Sequence, residues 1–154
     1  MATKYIRIYD AFFRRKLIRV IVLGKSVNDI TANADAVSVI VHTFIDNAIK
    51  YSPKEAIVEV NIEDDGQSVD FSISSFGPRI ERSEMSKIFD PFYRGVHARE
   101  QEEEGAGYGL YVSQLISRRH LGVEIHVQQD QSRAFKGCYW TTFSIKLPPT
   151  AEMT

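Results

Sequence analysis

The stretch from 34 to 51 constrains the fold most, because its pattern predicts one long helix with two different faces. Apolar residues recur there at steps of three and one, as the buried face of a helix requires. These residues are Val37, Ile40, Val41, Phe44, Ile45, Ala48 and Ile49. The opposite face is polar, with side chains that are neighbours on a helix surface. They are Thr43, Asp46, Asn47 and Lys50. The sequence therefore predicts a helix with a buried face and a polar stripe.

Strand patterns surround this helix. Residues 17–24, LIRVIVLG, form a β-branched run that predicts a strand, and residues 4–16 before it predict an N-terminal helix. The residue before Pro53 is biased away from helical angles, which predicts that the long helix ends there. The alternating runs AIVEVNI (56–62) and VDFSIS (69–74) are separated by EDDGQ, whose Asp-Gly pair is typical of a hairpin turn. Two antiparallel strands are therefore expected after the helix.

The second half of the chain predicts a loop-rich connection, a helix and two strands. SSFGPRI (74–80) indicates a Gly-Pro loop, RSEMSKIF (82–89) a short helix, and residues 90–107 a long connection typical of functional lids or disorder. An apolar helical run then precedes Gly122, which suits the left-handed end of a helix. VEIHVQQ (123–129) and CYWTTFSIKLP (138–148) predict the last strands. The expected fold is α+β: a two-layer α/β sandwich whose mixed, mostly antiparallel sheet has helices packed on one face.

Three glycines alternate directly before that helical run. Gly105, Gly107 and Gly109 permit positive φ angles and let bare backbone N–H groups approach a bulky group closely. A helix N-terminus carries unpaired N–H donors and the positive end of the peptide dipole, so an anion such as phosphate suits it. The segment alone leaves two interpretations open, a phosphate cradle or an ordinary tight loop.

Composition excludes several classes of function. A chain of 154 residues with 44% hydrophobic residues suits one globular domain with a sizeable core. The net charge of −1 gives no overall basic field for nucleic acid or a membrane surface, and Cys138 is a lone cysteine, which rules out an internal disulfide or a cysteine metal cluster. No apolar run is long enough to span a bilayer, and no signal-peptide pattern begins the sequence. We expect a cytoplasmic domain with no nucleic acid partner and no direct membrane contact.

Four separated segments together resemble the N, G1, F and G2 boxes of the catalytic, ATP-binding domain of sensor histidine kinases. They are HTFIDNAIKYS (42–52), SSFGPRI (74–80), KIFDPFYRG (87–95) and GAGYGL (105–110). The closing TTFSIKLP also resembles the last strand of this family, whose Bergerat-type ATP-binding fold occurs in gyrase, mismatch-repair ATPases and heat-shock chaperones. The resemblance makes residues 17–148 the catalytic domain. It implies that residues 1–16 are a helix or linker remnant from a preceding dimerisation domain and that residues 149–154 are a C-terminal tail.

The resemblance implies ATP as substrate and Mg²⁺ as cofactor, with three residues in catalytic roles. Asn47 would bind Mg²⁺ through its amide oxygen, a ligand type that this hard cation prefers. Lys50 would neutralise phosphate charge, and Arg94 would approach the terminal phosphate. Without the resemblance, these would be ordinary polar residues of a helix surface and a loop.

The resemblance also implies a set of ATP-binding residues. Besides Asn47 and Lys50, they are Thr43, Tyr51, Ser75, Gly77, Ile80, Phe89, Phe92, Gly105, Gly107, Tyr108, Gly109, Leu110 and Thr142. Phe89 and Phe92 would anchor the lid, and Thr142 would lie near the adenine. The glycines would let the lid move and let backbone amides surround the triphosphate.

The sequence departs from the family pattern at several positions. Ser75 stands where many relatives carry Asp or Asn to accept a hydrogen bond from the adenine amino group, and a neutral acceptor implies roughly tenfold weaker binding. Arg79 replaces a usual glycine and would either crowd the base pocket or contact a phosphate. Ala106 lacks a hydroxyl often found there, and Thr43 replaces the first asparagine of the N box. These changes keep a second hypothesis open, a degenerate nucleotide-binding or docking module without catalytic activity.

Thr43 and the histidines indicate which reaction to expect. Gyrase-like ATPases and anti-sigma serine kinases carry a glutamate general base four residues before the Mg²⁺ asparagine, and Thr43 cannot serve as one. None of the four histidines, His42, His97, His120 and His126, lies in an acidic, helix-borne acceptor motif. These observations favour phosphoryl transfer to an acceptor outside these residues. The resemblance implies that the γ-phosphoryl group goes to a histidine on a dimerisation domain of the same kinase, and through it to a response regulator. The isolated domain is expected to be a monomer that does not phosphorylate itself, cut from a kinase that can be membrane-anchored.

Overall fold

The computed structural model describes residues 2–25, 33–93 and 109–148. The helices in this part of the chain are α1 (Ala2–Ile8), α2 (Asp10–Arg15), α3 (Ala34–Tyr51) and α4 (Gly109–Ile116). The strands are β1 (Arg19–Gly24), β2 (Ile57–Asp64), β3 (Val69–Gly77), β4 (Ile125–Phe135) and β5 (Cys138–Leu147). The elements follow the predicted order, with the N-terminal helix divided in two. None of these helices combines the length and the apolar character that crossing a membrane requires.

The five strands form one sheet in the order β1-β2-β3-β5-β4. β1 pairs with β2 in parallel, and the remaining neighbours pair antiparallel. One parallel edge strand on an antiparallel sheet confirms the predicted mixed, mostly antiparallel α+β fold. β2 and β3 form the predicted hairpin, and its turn holds Gly66 at φ +82°.

Helix α3 begins and ends where the sequence predicts. The Asn33 side-chain oxygen accepts hydrogen bonds from the N–H groups of Asp35 and Ala36, both at 3.1 Å, and so caps the first turn. Ser52 is extended at ψ 134°, as the residue before a proline prefers, and it ends the helix. The buried residues of α3 are Ala36, Val37, Ile40, Val41, Phe44, Ile45 and Ala48. The predicted apolar face is therefore the face that packs into the core.

The core lies between α3 and one face of the sheet. Phe44 of α3 stacks on Phe71 of β3 with ring centroids 6.4 Å apart, and it also contacts Phe143 of β5. Because side chains alternate along a strand, residues in step with Phe71 and Phe143 point to α3 and the intervening residues point away. We name these two sides the helix face and the far face of the sheet.

Two sequence predictions after the hairpin are wrong. β3 extends to Gly77, so Ser75 and Gly77 lie in a strand and the loop begins only at Pro78. The predicted helix at 82–89 is a single 3₁₀ turn, Arg82–Glu84, followed by further turns. Hydrogen bonds from residue i+3 back to residue i recur through this segment, and Pro91 disfavours helical angles at the residue before it. The segment is therefore a succession of turns rather than a helix.

The C-terminal half of the helical layer agrees better with the prediction. α4 continues into a π-helical turn, Ser117–Leu121, and Gly122 ends it at φ +67°, in the predicted left-handed conformation. β4 continues past its predicted end at 129 to Phe135. The N-terminal segment packs on the same layer, since Phe13 of α2 is only 3% exposed and joins the core.

Candidate nucleotide-binding site

The polar flank of α3 carries four residues of the predicted N box, Thr43, Asn47, Lys50 and Tyr51, all half-buried. The side chains of Asn47 and Lys50 make no hydrogen bond or ion pair with any residue that the structure describes. Their donors and acceptors are not used within this part of the protein. They are therefore available to a ligand.

A hydrogen bond joins this flank to the start of α4. The hydroxyl of Ser113, which is fully buried, donates to the Thr43 hydroxyl at 2.7 Å, and Thr43 donates in turn to the Val39 carbonyl at 3.0 Å. A Cβ on Gly109 would lie 3.7 Å from the Thr43 methyl group, an ordinary contact. The first turn of α4, with Gly109 and Leu110, thus lies beside the N-box helix.

Two further buried polar residues hold α4 against the sheet. Gln114 accepts a hydrogen bond from the Ile125 N–H at 2.8 Å and donates to the Ile125 carbonyl at 3.2 Å. Ser117 donates to the Val123 carbonyl at 2.6 Å. The sequence prediction missed these residues, although polar side chains inside an apolar helical run are a signal for such contacts.

The end of β3 supplies the predicted G1-box residues. Ser75 lies on the helix face, in step with Ile73, and pairs with Thr141 of β5. A Cβ on Gly77 would lie 3.5 Å from the Thr141 hydroxyl, so this end of the strand packs closely on β5. Ser75, Gly77 and the loop that begins at Pro78 therefore lie on the same side of the sheet as α3.

Gln129 of β4 fixes the loop that follows, and the sequence prediction missed it. Its amide nitrogen donates to the Pro78 carbonyl at 2.9 Å and to the Thr141 hydroxyl at 2.8 Å, and its oxygen accepts from the Ile80 N–H at 2.9 Å. The signal was available in the alternation of β4, where Gln129 is a polar residue at a position in step with Ile125. Gln129 thus joins the loop at Pro78 and Ile80 to Thr141, the residue that pairs with Ser75.

Thr142 is not brought together with these residues. It pairs with Ser74 in register, and the two hydroxyls are 2.6 Å apart on the far face of the sheet. Thr141 is 5% exposed and lies on the helix face beside Ser75. A step of one residue along a strand moves a side chain to the other face. The threonine that shares a face with Ser75 is therefore Thr141, whereas Thr142 lies on the far face.

Arg79 pairs with a neighbouring carboxylate at the protein surface. Its guanidinium lies 3.5 Å from the Glu81 carboxylate, and its side chain is 49% exposed. The replacement of glycine is thus accommodated at the protein surface.

The F-box segment contains one buried and one exposed phenylalanine. Phe89 packs against the core, whereas 66% of Phe92 is exposed. The Tyr93 hydroxyl donates to the carboxylate of buried Glu84 at 2.6 Å, and the other oxygen of Glu84 accepts from the Glu81 N–H at 3.0 Å. Glu84 therefore holds the side chain of Tyr93, the residue before Arg94 in the sequence.

Several predicted site residues lie outside the described residues. They are Arg94, Gly105, Ala106, Gly107 and Tyr108. Within the described residues, the N-box helix contacts α4, and the G1 end of β3 lies on the same side of the sheet.

The sequence profile of the family described as histidine kinase-, DNA gyrase B-, and HSP90-like ATPase matches residues 32–151. The chain belongs to this family, which confirms the ATPase-type fold predicted from the four boxes. Among the relatives, the adaptive-response sensory kinase SasA of Rippkaea orientalis is 30% identical over 130 residues, which cover 82% of this chain and 33% of SasA. The matched part of the chain spans 21–33% of the length of the curated relatives. Its counterpart in these relatives is the ATP-binding catalytic domain of a sensor histidine kinase.

Solved structures of histidine kinases share the fold. The nucleotide-free catalytic domain of ThkA has a TM-score of 0.79 at 18% identity, with 97% of this chain and 92% of that chain covered. ThkA in complex with response regulator protein TrrA has a TM-score of 0.73 at 18% identity, with coverages of 99% and 40%. Full-length ShkA in complex with AMPPNP has a TM-score of 0.74 at 21% identity, with coverages of 97% and 30%. At these identities the likeness establishes the architecture, which is that of histidine kinase catalytic domains.

Proposed function

We propose that this chain binds Mg-ATP and donates the γ-phosphoryl group to a histidine on a separate dimerisation domain of the same kinase. The observation that carries the proposal is the meeting of three predicted segments on one side of the sheet. The Ser113 to Thr43 hydrogen bond joins the N-box helix to α4, and Ser75 lies near the end of β3 on the helix face. ATP would bind between these three segments.

Asn47 suits the role of magnesium ligand that this proposal gives it. Its half-buried amide makes no hydrogen bond within the described residues, so its oxygen is free to coordinate a cation. No group of three or more His, Cys, Asp or Glu side chains gathers in that part of the chain, which suits a cation held mainly by phosphate oxygens and water. Mg²⁺ would neutralise charge on the phosphates and so assist phosphoryl transfer.

Phosphate recognition would combine side-chain cations with backbone donors. Lys50 follows Asn47 on the same flank of α3, and its ammonium is available to a phosphate. Arg94 directly follows the segment that Glu84 holds. The first N–H groups of α4, together with Gly105 and Gly107, would face the triphosphate, because helix N-termini bind anions.

Adenine recognition would use the G1 end of β3. Ser75 would accept a hydrogen bond from the adenine amino group, and the neighbouring Thr141 would take the role that the sequence suggested for Thr142. Tyr51 and Ile80 would supply apolar surface for the base. A hydroxyl in place of a carboxylate predicts weaker binding than in relatives with Asp, but not its loss.

The reaction would be a direct transfer. The lone pair of an unprotonated imidazole nitrogen forms the new bond to the γ-phosphorus, while the bond from that phosphorus to the bridging oxygen breaks and ADP leaves with the electron pair. The chain contributes positioning and charge neutralisation. Thr43 supplies no base, and His42 is hydrogen-bonded to Tyr9, so we assign the acceptor to another domain.

The remaining parts of the proposal concern the whole kinase. Residues 17–148 would form the catalytic domain, monomeric when isolated and cytoplasmic in location, with residues 1–16 leading from the dimerisation domain. ThkA has been solved with response regulator protein TrrA, which supports a response regulator as the final acceptor.

Calorimetric titration with AMPPNP, with and without Mg²⁺, tests nucleotide binding. We expect saturable, Mg²⁺-dependent binding that is lost in Asn47→Ala and kept in Asn61→Ala. Asn61 is a matched control, because it lies on the far face in β2 and its side chain bonds only to Glu63 within the described residues. Absence of binding at millimolar nucleotide would instead favour the docking module. Labelling of a cognate acceptor-helix fragment by this chain and ATP then tests phosphoryl transfer, and absence of label at saturating ATP would count against it.

A further inference from the structure

Lys16, which follows α2, caps the C-terminal end of α3. Its ammonium donates hydrogen bonds to three backbone carbonyls, those of Ile49 at 2.7 Å, Lys50 at 3.0 Å and Ser52 at 3.0 Å. The last carbonyls of a helix have no partner within the helix, and a cation there also offsets the negative end of the peptide dipole. The end of α3 is therefore completed by a residue from the N-terminal segment.

The capped turn carries part of the proposed nucleotide site. Lys50 provides one of the three carbonyls, Tyr51 follows it, and Asn47 lies one turn earlier. The hydroxyl of Ser52 is buried and has no hydrogen-bond partner within the described residues, so that side chain does not cap the turn. The geometry of the turn consequently depends on Lys16.

We propose that Lys16 is a positioning residue for nucleotide binding, through which the N-terminal segment, residues 2–16, controls the N-box turn. The inference rests on the proposed function, because it concerns the same site. Lys16 does not touch the nucleotide in this arrangement. It acts by holding the backbone that carries Lys50 and Tyr51.

A second contact fastens the N-terminal segment along α3. The Tyr9 hydroxyl and His42 Nδ1 are 2.9 Å apart, and the Tyr5 ring meets the His42 ring edge-on at 4.8 Å. Burial, and after it the negative charge of Asp46, raise the pKa of Tyr9, so its hydroxyl stays protonated and can donate to His42. The N-terminal segment is thus attached to α3 at two places, at His42 and at the C-terminal end of α3.

This attachment couples the docking of the N-terminal segment to nucleotide binding, and the coupling acts in both directions. A displacement of the segment would withdraw Lys16 and loosen the N-box turn. By linkage, a nucleotide that orders the same turn must strengthen the docking of the segment to the same extent. Any movement passed down the chain into residues 2–16 would therefore change the affinity for ATP.

The first test compares AMPPNP affinity, in the presence of Mg²⁺, among three variants of the full chain. Lys16→Met keeps the alkyl stem and removes the ammonium, and we expect about fivefold weaker binding. Lys16→Arg keeps the charge and the donors and should restore most of the affinity. Lys136→Met is the matched control, since Lys136 also donates to a backbone carbonyl, that of Lys54 at 2.9 Å, and its other hydrogen-bond partner, the Glu55 carboxylate, also follows α3. Equal affinity of Lys16→Met and the wild type overturns the inference.

Hydrogen exchange of the wild-type chain provides a test that needs no variant. AMPPNP should slow exchange at the Phe13 and Ile18 amides, whose hydrogen bonds lie in the N-terminal segment and directly after it. Unchanged exchange at these amides, with the nucleotide bound, overturns the inference even if Lys16→Met fails to fold. In a folded Lys16→Met chain at saturating nucleotide, the slowing should disappear there and persist in the first turn of α4. Failure of the wild type to bind AMPPNP at all would overturn the proposed function itself, and this inference with it.

Discussion

Ser113 and Thr43 lie 70 residues apart in the chain and share a hydrogen bond of 2.7 Å. The bond joins α4 to the polar flank of α3, the two elements between which we propose that the triphosphate binds. Each residue is small, so the two helices approach closely. The separation of the N-box and G2-box helices is therefore set by two hydroxyl groups.

A double-mutant cycle measures this contact. Ser113→Ala and Thr43→Val should each lower the free energy of unfolding by about 1–2 kcal/mol. Thr43→Val leaves the buried Ser113 hydroxyl without this partner, whereas Ser113→Ala removes one of the two hydrogen bonds of the half-buried Thr43 hydroxyl. The double variant should lose less unfolding free energy than the sum of the two single losses, with a coupling energy of about 1 kcal/mol. Urea unfolding of the four proteins gives these values. Additivity within about 0.5 kcal/mol would show that the two hydroxyls do not interact in solution.

Ser75→Asp should bind ATP about tenfold more tightly than the wild type. A carboxylate accepts a stronger hydrogen bond from the adenine amino group than a hydroxyl does. Calorimetric titration with AMPPNP provides the measurement. Ser72→Asp is the control, because Ser72 lies in the same strand on the far face and should leave the affinity unchanged. No gain in Ser75→Asp would mean that the base does not bind beside residue 75.

Thr141→Val and Thr142→Val should differ in their effect on nucleotide binding. Thr141 lies beside Ser75 and accepts a hydrogen bond from Gln129, so its loss should weaken AMPPNP binding about fivefold. Thr142 bonds to Ser74 on the far face, so its loss should lower only the free energy of unfolding. Titration and thermal unfolding of both variants separate these effects. The reverse pattern, with only Thr142→Val impaired in binding, would contradict the assignment of the base to the helix face.

The sequence predicts those parts of the fold that depend on local pattern. The bounds of α3 follow from its apolar period and from Pro53, and the hairpin follows from alternation and its Asp-Gly turn. The segment 82–89 misled the prediction because its period suits a helix, whereas its side chains are used otherwise: the Glu84 carboxylate binds the Glu81 N–H and the Tyr93 hydroxyl. Helix propensity was overridden there by contacts outside the segment.

The residues that complete the site depend on long-range geometry. Gln129 lies 51 residues from Pro78, and Lys16 lies 36 residues from the Ser52 carbonyl that it caps. The choice between Thr141 and Thr142 depends on the register of β5 against β3, and a shift of one residue reverses it. No local pattern fixes such a register, so the sequence alone does not show which of the two threonines lies on the helix face.

Gly109→Ala tests whether this glycine is required for stability or for nucleotide binding. Gly109 begins α4, and an added Cβ would meet the Thr43 methyl group at an ordinary 3.7 Å. Alanine also favours helix over glycine by about 1 kcal/mol, so the Tm should be unchanged or higher. AMPPNP affinity should nevertheless fall about tenfold, because the proposed role of this glycine is close approach of backbone to the triphosphate. Thermal unfolding and calorimetric titration of the same sample provide the two measurements.

For Gly122→Ala we expect the opposite result, a loss of stability without a loss of AMPPNP affinity. Gly122 is left-handed at φ +67° and has no atom within 4 Å of an added Cβ, so the substitution costs only backbone strain, about 1–2 kcal/mol of unfolding free energy. Its distance from the proposed site predicts unchanged affinity. If Gly109→Ala lowered both the Tm and the AMPPNP affinity, Gly109 would have a structural role only. The loss of binding would then follow from a damaged helix start. The proposal that phosphate approaches the N-terminus of α4 would then have no support from this position.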